Sequence, residues 1–155
     1  MTNHDPLQPH SHDNNEAPPD ENLDLLLIEP NGRKHPIPAG TLPTYPQSII
    51  PHYEYTTDHG KHGPYKLSGV ALLDLINHHI TAAWAEVEIL SADGFGNRVF
   101  KAELEANTAE EPILLCTATN DRPLTRAEGA IRLVVPSETD NALRQIKWVQ
   151  TIRLV

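Results

Sequence analysis

The most concentrated polar cluster in the chain is Asp58-His59-Gly60-Lys61-His62-Gly63, with His52 close by in sequence. Imidazole and carboxylate side chains together suit metal ligation, polarisation of a substrate, or contact with an anion. Gly60 and Gly63 permit a tight loop whose backbone approaches a ligand closely. One reading is a zinc-dependent activity centred on His59 and His62, completed by Asp58 or His52. The spacing departs from zinc signatures, because no cysteine accompanies it and no helix frames it. A solvated, glycine-rich loop accounts for the cluster more simply, so no metal ligand is assigned. Contact between His59 and an anionic ligand is the functional expectation kept for this loop.

A second group is basic. Residues 122–155 hold Arg122, Arg126, Arg132, Arg144, Lys147 and Arg153 against Glu128, Glu138 and Asp140. Arg132 and Lys147 fall in the strand candidates at 131–135 and 146–155. The plain reading is an ion-paired strand residue with its stem packed on a sheet. Cys116, the one thiol, sits on an apolar run and reads as a small core residue. Ser68, Ser91 and Ser137 lack a Gly-x-Ser-x-Gly context, which leaves a hydrolase without support. No phosphate-cradling P-loop and no Gly-x-Gly-x-x-Gly fingerprint occurs.

The elements that must position these groups are mostly strands. Residues 23–28 form an apolar strand candidate that ends at Glu29-Pro30-Asn31-Gly32, and residues 33–37 are its hairpin partner. A proline-rich stretch follows, in which regular helix or central strand is disfavoured. A short strand is expected within it, from Ile49-Ile50 and residues 53–57. Residues 68–80 predict the clearest helix, because Leu72, Leu73, Ile76 and Ile80 recur at three- and four-residue spacing, with Ser68 as its N-cap. His78 and His79 at its end suit the negative pole of the helix dipole. Residues 84–90 alternate as a half-buried strand, with Glu86 and Glu88 facing solvent. A turn at Asp93-Gly94 leads to a returning strand at 98–100 and a helical turn at 101–107. Further strands are expected at 113–118, 131–135 and 146–155, with Trp84 and Trp148 as core or pocket wall. The fold class is α+β, with a mixed, mostly antiparallel sheet and few helices.

The net charge of −9 is uneven. Residues 1–22 carry Asp5, Asp13, Glu16, Asp20 and Glu21 with no Lys or Arg, and four prolines. This segment cannot bury enough apolar area to offset its ordering entropy, so it reads as a disordered acidic tail ahead of one domain at 23–155. An acidic chain does not suit nucleic-acid binding, whose affinity comes largely from neutralised phosphates. No apolar run reaches the roughly 18–20 residues that span a bilayer. The acidic start and single cysteine fit a soluble, cytoplasmic protein.

Three motifs, in order, carry a family resemblance: Ser68-Gly-Val-Ala-Leu-Leu-Asp-Leu-Ile76, Ala127-Glu-Gly-Ala-Ile-Arg-Leu-Val-Val-Pro136 and Ile146-Lys-Trp-Val-Gln-Thr-Ile152. Together they resemble the molybdopterin-binding domain of the sulfite oxidase family of oxidoreductases. Ser91-Ala-Asp-Gly94 is similar to that family's Ser-x-Asp-Gly turn. The resemblance covers residues 23–155 and implies a sulfite-oxidase-type α+β fold. It also implies an anionic pterin ligand, with Arg132 and Lys147 holding phosphate and His59 contacting the pterin. Three departures bear on activity. The family's molybdenum-ligating cysteine is missing from residues 51–63, where Tyr55 or Thr56 stands about in its place. Glu128-Gly129 replaces a frequent His-Gly, and residues 139–144 replace an aromatic-Gly pair. Soft thiolate ligation of a redox metal is the chemistry this loop cannot supply. The expected protein binds molybdopterin or another small anion without oxidising sulfite. A non-catalytic module that binds a protein partner is the alternative.

Overall fold

The computed structural model describes residues 23–106, 111–138 and 145–155. The expected acidic tail at 1–22, and Arg144, lie outside the described residues. Strand β1 (Leu25–Ile28) turns through Glu29–Gly32 into β2 (Lys34–Ile37). The Gly32 N–H donates to the Glu29 carbonyl at 2.8 Å, with Gly32 at φ +91°. A 3-10 helix, Ala39–Thr44, leads to the long hairpin β3 (Ser48–Thr57) and β4 (Gly60–Ala71). Then come α1 (Leu72–His79), β5 (Glu86–Ser91), β6 (Gly96–Phe100) and α2 (Lys101–Ala106). The last strands are β7 (Leu114–Thr119), β8 (Arg122–Pro123), β9 (Arg132–Val134) and β10 (Val149–Leu154).

Two sheets result. The first has the order β2-β1-β10-β5-β6, in which β1 and β10 run parallel and the other pairs antiparallel. The second has the order β3-β4-β7-β8, with β9 also paired to β7, all antiparallel. Side chains alternate across a strand, and β7 and β9 use this to serve two cores. Leu115 and Leu133 join the main core with Val70, Leu75, Ile76, Val87, Ile89 and Ile152. Leu114, Cys116 and Val134 face the other way, into a smaller cluster with Ile50, Tyr53 and Leu67.

Local departures from the sequence expectations have physical causes. Ser68 is not a helix cap; it lies in β4, paired with Ile49 and Ala118. The sheet ladder wins there because Gly69 lets β7 come close, and a Cβ at Gly69 would collide with the Leu115 carbonyl oxygen. Helix α1 therefore starts later, without a side-chain cap, and the Leu72 N–H donates to the Ile113 carbonyl at 2.9 Å instead. The proline-rich stretch does form a long strand. β3 is an edge strand, and its pairing slips between Ile50 and Tyr53, so Pro51 removes no ladder bond. Glu88 does not face open solvent: its side chain is 8% exposed and accepts hydrogen bonds from Arg153 Nε at 2.9 Å and Nη2 at 2.6 Å. His79 is not a charged helix terminus. Burial, then His78 and His35, hold its pKa below 6.5, and its Nε2 lies 2.7 Å from the Tyr45 hydroxyl.

Candidate functional site

The smaller cluster opens into a pocket of about 360 Å³ over one face of the second sheet. That volume falls in the range of roughly 300–1,000 Å³ typical of small-molecule sites. β3 and β4 supply its aromatic wall. Tyr53 and Tyr55 are two apart on β3 and so share a face, and Tyr65 comes from β4. Tyr53 and Tyr55 stack at 5.7 Å between centroids, and Tyr55 stacks on His62 at 4.9 Å. Tyr53 is buried, and burial pushes its phenol pKa up to about 12. Its hydroxyl accepts from Gln145 Nε2 and donates to the Glu138 carbonyl at 3.4 Å.

β7 and β9 supply the floor. Cys116 and Arg132 are direct cross-strand partners, and both line the pocket. Lys147, just before β10, lines it as well, with its Nζ 5.7 Å from the Trp148 ring centroid. Gly129 is what brings the two cations together. It has φ +111°, and a Cβ there would lie 2.7 Å from Arg132 Cγ and 2.9 Å from Lys147 Cγ. The Gly129 carbonyl accepts from the Trp148 N–H at 2.9 Å, which ties the two segments. Arg132 Nε is buried and has no hydrogen-bond partner among the described residues. Its charge acts on Tyr53, Cys116 and Glu128, lowering the pKa of each as one of the smaller influences.

Cys116 is 1% exposed, and its Sγ lies 3.3 Å from the Ala118 carbonyl. Burial pushes its thiol pKa up, so the group stays protonated. Glu128 lines the same pocket, with its carboxyl held below the usual range chiefly by the Thr125 backbone N–H. Arg122 approaches Glu128 at 3.6 Å.

Of the residues expected from sequence, Arg132 and Lys147 come together here and His59 does not. His59 sits exposed in the turn between β3 and β4, with its N–H donating to Thr57 Oγ1 at 3.2 Å. The reason is local: the cluster expected to curl into a ligand loop pairs instead as a regular hairpin, Thr57 opposite Gly60 and Tyr55 opposite His62. His62 Nε2 lies 2.9 Å from Thr57 Oγ1. Among the described residues no group of three His, Cys, Asp or Glu side chains could hold a metal ion, so the His59/His62 zinc reading has no geometry behind it. Sequence reasoning missed Tyr53, Tyr65, Gln145 and the pocket-facing role of Glu128. The alternation Tyr53-x-Tyr55 was a usable signal for the wall, whereas Gln145 carried none.

A family model described as the oxidoreductase molybdopterin binding domain matches residues 48–155. The chain belongs to this family. The helix-poor α+β fold agrees with that membership. Among solved structures, the sulfane dehydrogenase SoxCD from Paracoccus pantotrophus is similar, with TM-score 0.62 and 16% identity. The match covers 84% of this chain and 37% of that one, and it concerns the fold. No curated protein matches the chain. No helix among the described residues is long and apolar enough to cross a membrane.

Proposed function

We propose that this protein binds the anionic end of a molybdopterin-type ligand in the pocket and does not act as a sulfite-oxidising enzyme. The observation that carries this is the pairing of Arg132 and Lys147 by Gly129, with Arg132 Nε buried and unpaired among the described residues. Leaving such a donor unsatisfied costs about 1–3 kcal/mol, and more for a charged group, so an acceptor arriving there is favoured. A phosphate answers that need, and the Tyr55 and Tyr65 rings supply an amphipathic wall for a planar heterocycle.

The residues fit the anion and not a thiolate-bound metal. When bound, molybdopterin supplies redox-metal chemistry, which in this family is anchored by a cysteine. Here Cys116 is buried and protonated, with its Sγ against a carbonyl. Tyr55, near the position of the missing cysteine, is a hard phenol stacked between Tyr53 and His62. Arg132 and Lys147 would hold the phosphate, Tyr55 and Tyr65 would flank the ring system, and Tyr53 would stay neutral. His59 has no part in this arrangement.

Calorimetric titration of the purified chain with neopterin monophosphate tests the reading. Saturable one-to-one binding is expected, and Arg132→Gln should weaken it by about tenfold or more, the usual effect of losing a charge-assisted hydrogen bond. Binding that ignores Arg132→Gln would contradict it.

A further inference from the structure

We infer that the pocket reads its ligand's edge as well as its charge, and that Glu128 makes it selective for a phosphorylated 2-amino-4-oxo heterocycle, a pterin or a guanine. This inference rests on the anion-binding reading above. A carboxylate is unexpected in a site for an anion, since like charges repel. Yet Glu128 lines the pocket, and its ionised form is favoured. It is also held in place. Its Oε1 accepts from the Thr125 N–H at 3.0 Å, its own N–H donates to Thr125 Oγ1 at 3.1 Å, and its Oε2 faces Arg122 at 3.6 Å.

An ionised carboxylate offers about four lone-pair sites. These contacts, with that of the Thr125 side chain on the carboxylate, do not use all of its acceptor capacity. A ligand that brings only an anion meets Glu128 as a penalty. A ligand that brings two parallel N–H donors beside its anion turns the penalty into a contact. The ring N–H and adjacent 2-amino group of an amino-pyrimidinone are such a pair, with the same fork geometry as a guanidinium on a carboxylate. Pterin and guanine both carry this edge. Hypoxanthine lacks the amino group, and adenine presents a ring acceptor in place of the N–H. The aromatic wall accepts all of these rings, and the Arg132–Lys147 pair accepts any phosphate, so discrimination falls to Glu128.

The test is calorimetric titration of the full chain with GMP, IMP, AMP, neopterin monophosphate and inorganic phosphate, repeated with Glu128→Gln and Glu128→Ala. GMP or the pterin should bind about tenfold tighter than IMP and AMP, the discrimination expected of hydrogen bonds to a charged group. Both substitutions should bring these ligands to within about twofold of one another, chiefly by weakening the favoured ones. Preference for only one of the two favoured heterocycles supports the inference and identifies its source. Equal binding of neopterin monophosphate, GMP, IMP and AMP, or a preference that survives both substitutions, overturns edge reading while leaving anion binding intact. If neither the pterin nor phosphate binds the folded protein, the anion-binding reading fails with it.

Discussion

Cys116 illustrates how one residue's surroundings decide its chemistry. A thiol lining a cofactor pocket invites a role as metal ligand, but nucleophilicity and ligation belong to the thiolate. Burial raises the Cys116 pKa, the opposing influence of Arg132 is smaller, and the side chain is 1% exposed. Alkylation of the native protein by iodoacetamide at pH 8 should therefore be at least about tenfold slower than that of the urea-unfolded chain, measured by mass spectrometry. Equal rates would show an accessible, ionisable thiol. The same residue scale explains what could be read in advance. Arg132 and Lys147, singled out because they match basic positions in the motifs of the resembled family, both line the pocket. His59 misled because glycine-flanked histidines look alike in a ligand loop and in a hairpin turn, and only the pairing of Tyr55 with His62 separates them.

At the scale of elements, two glycines set how closely segments approach. Gly69 in β4 packs directly against the β7 backbone, and Gly129 bends the chain so that β9 and the segment before β10 meet. Gly69→Ala forces backbone apart and should destabilise the protein by about 1–3 kcal/mol. Gly129→Ala adds strain at φ +111°, of order 1–3 kcal/mol, and pushes Arg132 and Lys147 from each other. Urea unfolding should show both losses, but only Gly129→Ala should also weaken neopterin monophosphate binding in the protein that remains folded. Loss of binding in both would mean that the pocket follows global stability. The strands were legible from period-two patterning, and α1 from its apolar face. The start of α1 was not, because Ser68 carries a cap's chemistry while Gly69 carries a close approach, and only the partner strand decides between them. Glu88 was misplaced for a related reason: alternation assigns it to the outer face, but Arg153 from the neighbouring strand covers it.

The whole molecule responds to pH through groups away from the pocket. His79 has its pKa below 6.5, so the unfolded chain binds a proton where the native one does not. Stability is then fully present above pH 6.5 and is lost as pH falls through the lowered native value. A lower Tm at pH 5.5 than at pH 7.5 is expected, with His79→Gln reducing the difference; an unchanged difference would assign the effect elsewhere. The acidic total of −9 likewise says little about the site, because the pocket's charge is local: Arg122, Arg132 and Lys147 against Glu128. The central claim is that Arg132 and Lys147 hold an anionic pterin without a cysteine ligand. It is tested most directly by purifying the full chain from a host that makes molybdopterin and measuring its pterin content by fluorescence after release. About one pterin per chain is predicted for the wild type and for Cys116→Ser, and almost none for the Arg132→Gln, Lys147→Gln double variant. Pterin retained by the double variant, or absent from the folded wild type, would contradict the account.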